Sequence, residues 1–288
     1  MLDPQRDDVL KAEQRYAKGN GMLLTNGTGT GKTASGMGVI VRSINAGKPN
    51  ALVIVPSDKI AADWVKFAKM LGVDLKMLDS TNDNGGTGPV ITTYANFGAN
   101  DTLALRDWDQ FVADEAHYLS SNEKGEGTSA LSQLHSLSGH HAGFYRWVRE
   151  RNYKEWGAYK AAMNASRDAA LPESGVTEAQ QEKLAAAESK EKAKWDAIEE
   201  PAKQAWADRW AKQKDLPKTL FLSATPFAYV KSVDYAEGYL FDYTDPAERY
   251  TNKAEMEGYS YNSGDGREKF FMQHFGYRMR YNKLTQPE

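Results

Sequence analysis

The 288-residue chain has no cysteine. That absence excludes a disulfide scaffold, a thiolate zinc site and a cysteine nucleophile, and it fits a reducing compartment. Long apolar runs are missing too: the longest aliphatic stretch, Ala51–Val55, falls far short of the roughly 20 residues that cross a bilayer. The opening Met1-Leu2-Asp3-Pro4-Gln5-Arg6 has none of the apolar character of a signal peptide. A soluble, cytoplasmic protein with no membrane partner is expected. Neither sign of charge dominates, since 36 basic side chains face 39 acidic ones for a net charge of −3. This counts against a protein that coats nucleic acid and leaves room for a local basic stripe. No Gly-x-Ser-x-Gly elbow of a serine hydrolase is present. His135, His140, His141 and His274 lie outside any His-Glu-x-x-His pattern, so surface or packing roles are expected for them rather than metal binding. Asp79 and Asp83 hint at a calcium loop, but Thr81 and Asn84 stand where that motif needs a ligand and a glycine.

What is present is a chain that can build a core. Its apolar fraction is 41%, with 7 Trp, 15 Tyr and 10 Phe, which excludes wholesale disorder. Short β-type runs alternate with helical patterns, as in a parallel sheet covered by helices. Strands are expected at Gly21–Thr25, Ala51–Pro56, Leu75–Leu78, Pro89–Thr93, Gln110–Ala113 and Thr219–Ser223, and helices at Arg6–Lys18, Lys32–Asn45 and Asp58–Leu71. The fold class is therefore α/β. Asn82–Gly88 reads as a turn-rich loop.

The texture changes after Gly139. Residues 138–215 hold five of the seven tryptophans (Trp147, Trp156, Trp195, Trp206, Trp210) and interleave both charge signs. Ala-rich stretches favour helix there, Leu171–Gly175 interrupts it, and Thr177 with Gln180 matches a capping box. Pro201 either kinks that helix or starts another. We expect an all-helical insertion at 138–215 between an α/β part at 1–137 and its continuation at 216–288. The tryptophans form either the bundle's own core or a stacking or partner surface.

Asn26-Gly27-Thr28-Gly29-Thr30-Gly31-Lys32-Thr33 follows a strand and opens a helix. Glycines let successive backbone N–H groups converge, and the helix N-terminus adds positive potential there. Lys32 is expected to reach the β- and γ-phosphates of ATP and Thr33 to bind Mg²⁺. The strict pattern has glycine where this chain has Asn26, a departure that leaves Gly27, Gly29 and Gly31 free to shape the loop. Asp114-Glu115-Ala116-His117 ends an apolar strand. That edge of an open α/β sheet is where ligands sit. Asp114 suits the Mg²⁺ shell and Glu115 the general base toward water. His117 is either a hydrogen-bond relay to the sheet or a core imidazole.

Gly29-Thr30-Gly31-Lys32-Thr33, Asp114-Glu115-Ala116-His117 and Ser223-Ala224-Thr225-Pro226 occur in the order of motifs I, II and III of superfamily 2 helicases and translocases, which the chain resembles. Gln5, 27 residues before Lys32, resembles the glutamine that reads adenine in that superfamily. Val55-Pro56-Ser57, followed by a helix with Trp64, resembles motif Ia, and Ile91-Thr92-Thr93-Tyr94 the next single-strand contact. The resemblance implies a RecA-like ATP-binding lobe with a mostly parallel sheet. It implies that Ser223, Thr225 and His117 connect the nucleotide site to nucleic acid, DNA being favoured, and that Pro56 and Thr93 lie along the strand. Leu222–Leu240 and Phe271–Pro287 further resemble strawberry-notch-type helicases, including very large phage-encoded ones, which would work in the host cytoplasm.

Superfamily 2 motors bind ATP between two RecA-like lobes, the second supplying an arginine finger. Only 62 residues follow Pro226, Tyr-rich and ending with Arg278, Arg280 and Lys283. They are too few for a second lobe, so a piece of a larger motor, weakly active by itself, is expected. A packaging-terminase or restriction-type motor shares the glutamine, loop and coupling motif, and a nucleotide-gated module with a protein partner on the insertion is the reading outside enzymes.

Overall fold

The computed structural model describes residues 2–19, 21–27, 29–120, 128–171, 175–212, 216–227, 235–240, 278–280 and 283–285. Thr28 and His274 lie outside the described residues, as do much of Leu222–Leu240 and Phe271–Pro287 and the side chains of Trp210, Arg278, Arg280 and Lys283.

Six strands form one sheet: β1 (Met22–Leu24), β2 (Ala51–Val55), β3 (Lys76–Met77), β4 (Val90–Thr93), β5 (Gln110–Asp114) and β6 (Lys218–Leu222). They lie in the order β1-β6-β5-β2-β4-β3, and every neighbouring pair runs parallel. All six expected strands are present: β1 to β4 are each shorter by one residue at one or both ends, β5 runs one residue further, and β6 starts and ends one residue earlier. A parallel sheet needs cover on both faces, and the strands alternate accordingly. Leu52, Ile54, Phe111, Ala113 and Phe221 pack one face with Tyr94, Phe97, Leu131 and Leu134. Ala51, Val53, Val55, Val112, Leu220 and Leu222 pack the other with Val9, Met37, Ile40 and Trp64. This is the α/β architecture expected of a RecA-like P-loop domain. The described residues also contain a short antiparallel ladder of β7 (Arg278–Arg280) and β8 (Lys283–Thr285), which the Tyr-rich tail had not announced.

Three helices cover the second face: α1 (Asp3–Tyr16), α2 (Lys32–Asn45) and α3 (Asp58–Met70). The bounds of α2 are those expected. Helix α1 begins three residues before Arg6 because Pro4 and Asp3 suit a first turn, and the Gln5 side chain accepts a hydrogen bond from Leu2 N at 3.0 Å. Ser57 caps α3. Between β4 and β5 lies α4 (Tyr94–Ala99), capped by Thr93.

Among the described residues, four α-helices lie between β5 and β6: α5 (Ser129–Ser138), α6 (Phe144–Arg151), α7 (Tyr153–Ala169) and α8 (Glu178–Ala211). Helix α5 contributes Leu131, Leu134 and Leu137 to the sheet's core and stops at Gly139, whose φ of 76° is a left-handed C-cap. Phe144, Val148, Trp195 and Trp206 form a separate small core with Trp147 and Trp156 against it. Trp195 and Trp206 are thus buried in the bundle, and Trp147 and Trp156 partly so. Thr177 and Gln180 make the reciprocal capping box, and Pro201 sits inside α8 without ending it. Arg146 and Arg151 fasten α6 to its neighbours, donating to Gly98 O at 2.9 Å and Ala104 O at 2.8 Å. Among the described residues no helix is long and apolar enough to cross a membrane.

One buried base sets an acid limit on this fold. His135 on α5 stacks on His140 at 4.1 Å, and its Nε2 has no hydrogen-bond partner among the described residues. Burial, with a smaller contribution from His141, lowers its pKa from 6.5 to about 3. The unfolded chain therefore binds the extra proton between these values, so stability is full above pH 6.5 and is lost as pH falls. At pH 5.5 the loss from this group is about 1.4 kcal/mol, set almost wholly by the unfolded value. Urea unfolding at pH 7.5 and 5.5 should show that increment, and His135→Gln should remove most of it. An unchanged pH dependence in the variant would contradict the assignment.

Candidate functional site

Because the strands are parallel, their C-terminal ends share one edge, and the motif residues gather there. The loop after β1 runs to Gly31, whose φ of 85° makes it the left-handed N-cap of α2; Gly29 has φ 80°. Both conformations belong to glycine. A Cβ on Gly29 would meet nothing within 4 Å, while one on Gly31 would stand 2.2 Å from Gln5 Nε2. Lys32 is buried at 9% exposure and folds back over the loop, donating to Asn26 O at 2.8 Å and Gly27 O at 3.2 Å. Thr33 follows in the first turn of α2, half-buried, and Thr30 donates to Gly27 O at 2.8 Å. Left-handed glycines, a cationic side chain curled into the loop and a helix N-terminus together form a cradle that fits a phosphate.

Gln5 does reach this loop. It is buried, and its amide donates to Thr30 O at 3.4 Å. Its oxygen is held by Leu2 N. A residue that motif reading passed over lies one turn further on: Asp8, buried, accepts from Asn26 Nδ2 at 2.8 Å and Ser35 Oγ at 3.0 Å. Asn26, the departure from the strict glycine pattern, thus uses its side chain to tie the loop to α1. The available signal was the spacing of Gln5 and Asp8, which extend the buried stripe of Val9 and Ala12 toward the helix start.

Asp114 ends β5 at 9% exposure. Its Oδ2 accepts from Trp64 Nε1 at 2.9 Å, its Oδ1 from Glu115 N at 3.1 Å, and its main-chain oxygen from the Tyr94 hydroxyl at 2.8 Å. Burial raises the pKa of this carboxyl, and the Trp64 hydrogen bond works against that rise. A carboxylate with two donors still has lone pairs to offer a divalent cation, so Asp114 fits Mg²⁺ as a hard oxygen ligand. Glu115 has φ 51°, the one positive value at a non-glycine among the described residues. Such backbone strain is characteristic of functional positions.

The third motif closes the constellation. Parallel pairing sets Asp114 beside Leu222, placing Ser223 at the same edge. Ser223 is fully buried; its hydroxyl lies 3.1 Å from His117 Nδ1 and accepts from Thr225 N at 3.2 Å. The same His117 nitrogen stands 3.4 Å from Glu115 Oε2. The half-buried His117 imidazole thus lies between Glu115 and Ser223. Thr225 is exposed. Pro56 and Thr93 lie further along the edge at the ends of β2 and β4, half-buried, and the Thr93 hydroxyl is engaged by Asn96 N at 3.3 Å.

Residues 9–144 match the family model of the DEAD/DEAH box helicases. No curated protein sequence matches the chain. Similar solved structures include the Sulfolobus solfataricus SWI2/SNF2 ATPase core in complex with dsDNA, at 16% identity and TM-score 0.40 over 65% of this chain and 42% of that one. A truncated XPD is 12% identical with TM-score 0.39, over 84% of this chain and 100% of that one. S. tokodaii Xpd4 is 14% identical with TM-score 0.38, over 83% and 61%. The chain thus spans under half the length of the first of these. The matched stretch, residues 9–144, runs from α1 through the phosphate loop and the Asp-Glu-Ala-His box, and over it the chain is similar to the DEAD/DEAH box helicases.

Proposed function

We propose that this chain is the ATP-binding lobe of a DNA helicase or translocase, hydrolysing ATP in concert with a second RecA-like lobe. The observation that carries the reading is the contact between His117 Nδ1 and Ser223 Oγ at 3.1 Å, beside the phosphate loop and Asp114. It links the acidic box to Ser-Ala-Thr, so a shift at one motif is felt at the other. Lys32 and the loop amides from Gly27 to Thr33 would hold the phosphates, with Gln5 on the adenine. Thr33 and Asp114 would hold Mg²⁺, which supplies neutralisation of phosphate charge and orientation of the leaving group. Glu115 would accept the proton of the attacking water. Its strained backbone is fixed from behind by Asp114 Oδ1.

Residues 138–215 form, in this reading, a helical insertion that a protein partner engages by its polar surface, since Trp195 and Trp206 are spent on its core. Pro56, Thr93 and Thr225 would meet the nucleic acid. Turnover by the lobe alone is expected to be slow, because charge stabilisation from the second lobe is worth about 10³–10⁵ in rate in related hydrolases. The test is ATP hydrolysis by the two-lobe protein with single-stranded DNA, duplex DNA or RNA. DNA should stimulate it, and His117→Ala should reduce the stimulation. Stimulation by RNA alone, or fast turnover by the isolated lobe that Glu115→Gln abolishes, would overturn the reading.

A further inference from the structure

Trp64 has no place in the roles above, yet it touches the most consequential carboxylate in the molecule. It lies on α3, whose buried stripe is Ala61, Trp64 and Ala68, and its side chain is 1% exposed. An indole has one polar atom, a donor, and here that donor is spent on Asp114 Oδ2 at 2.9 Å rather than on a backbone carbonyl. The far end of the ring is held as firmly. A Cβ on Gly36 of α2 would stand 2.7 Å from Trp64 Cη2 and 3.4 Å from Cζ3, so only glycine lets the indole slide this close to the helix that begins at Lys32. The ring is therefore wedged between the phosphate-loop helix and the tip of β5. Glu115 N and the Tyr94 hydroxyl hold Asp114 from two further directions.

We propose that Trp64 is a positioning residue for the metal site: its indole N–H occupies one lone pair of Asp114 Oδ2 and sets the carboxylate's rotation, leaving the remaining lone pairs for Mg²⁺. This rests on the ATP-binding reading and extends it to a residue on α3. Groups that orient a metal-ligating side chain typically change metal affinity 10- to 100-fold when removed. A lost core contact, by contrast, lowers stability without regard to the cation.

The experiment is calorimetric titration of the chain with ADP, in Mg²⁺ and in EDTA, for the wild type and Trp64→Phe. The phenyl ring keeps most of the packing and drops the donor. The expected result is that affinity in EDTA is unchanged while the gain conferred by Mg²⁺ shrinks about tenfold or more. In an Asp114→Asn background, Trp64→Phe should add nothing further. An undiminished Mg²⁺ gain, or equal losses with and without Mg²⁺, would overturn the inference while leaving the ATP-binding reading intact. A wild type that binds no nucleotide at all overturns both. Should Trp64→Phe fail to fold, the wild type decides: with ADP present, Mn²⁺ must broaden one of the seven tryptophan indole N–H resonances ahead of the rest. The same resonance must shift in Asp114→Asn. Uniform broadening, or a different resonance shifting, counts against Trp64.

Discussion

Glu115→Gln is expected to slow ATP hydrolysis by about 10²–10⁴-fold, the range that a positioned general base contributes, while nucleotide affinity stays within a few-fold of the wild type. The substitution is nearly isosteric and keeps the backbone at φ 51°, so the loop between β5 and the following 3-10 turn is not redrawn. It removes the one capacity that matters, accepting a proton. The main-chain N–H of residue 115 still donates to Asp114 Oδ1, so the cation site is preserved. His117 adds a second check. Its Nδ1 lies 3.4 Å from Glu115 Oε2 and 3.1 Å from Ser223 Oγ, and a neutral amide attracts the imidazole less than a carboxylate does. The bond to Ser223 should then dominate, and nucleic-acid binding should survive in Glu115→Gln. Single-turnover hydrolysis beside equilibrium binding separates the two quantities. Equal losses in both would assign Glu115 to nucleotide binding instead.

Lys32→Ala is expected to weaken nucleotide binding by about 30- to 4,000-fold, since truncating one partner of a buried, hydrogen-bonded charge contact costs roughly 2–5 kcal/mol. The geometry explains why the loss is not larger. In the structure the ammonium donates to Asn26 O and Gly27 O, so binding exchanges two hydrogen bonds for phosphate contacts and does not create them from nothing. The loop itself should persist in the variant, because its shape is secured elsewhere: Asp8 holds Asn26 and Ser35, and Gln5 rests on Thr30 and Gly31. Lys32→Ala should therefore melt like the wild type yet fail to bind. Asp8→Ala should do the reverse in degree, loosening the loop and lowering affinity modestly with Lys32 in place. A Lys32→Ala chain that binds with wild-type affinity would move the nucleotide site elsewhere.

These expectations draw on parts of the molecule that differ in how openly the sequence displays them. The doubly covered strands were legible because Ala51–Val55 is apolar at every position, and only a strand packed on both faces tolerates that. The helix after the phosphate loop was legible to the residue because a left-handed glycine and a lysine mark its start. Helix α1 begins three residues earlier than its pattern suggests, since Pro4 reads as a breaker unless it stands in a first turn. Within the site, Lys32, Asp114, Glu115 and Ser223 announced themselves by type and spacing. Asp8 did not, and Trp64 entered only as part of a motif Ia resemblance, because their contacts are with partners 18 and 50 residues away, a distance no local pattern encodes. An interior placement was one of two readings that periodicity alone left open for the bundle's tryptophans, and tertiary packing gives it to Trp195 and Trp206.

The most direct measurement of the central claim is an equilibrium titration of the chain with ATP in Mg²⁺, made with Glu115→Gln so that turnover does not blur the isotherm. One saturable site per chain, weakened when Mg²⁺ is removed and lost in Glu115→Gln with Lys32→Ala, is the predicted result. No saturable binding, or binding indifferent to both Lys32 and Mg²⁺, would contradict the assignment of this edge of the sheet as a nucleotide site.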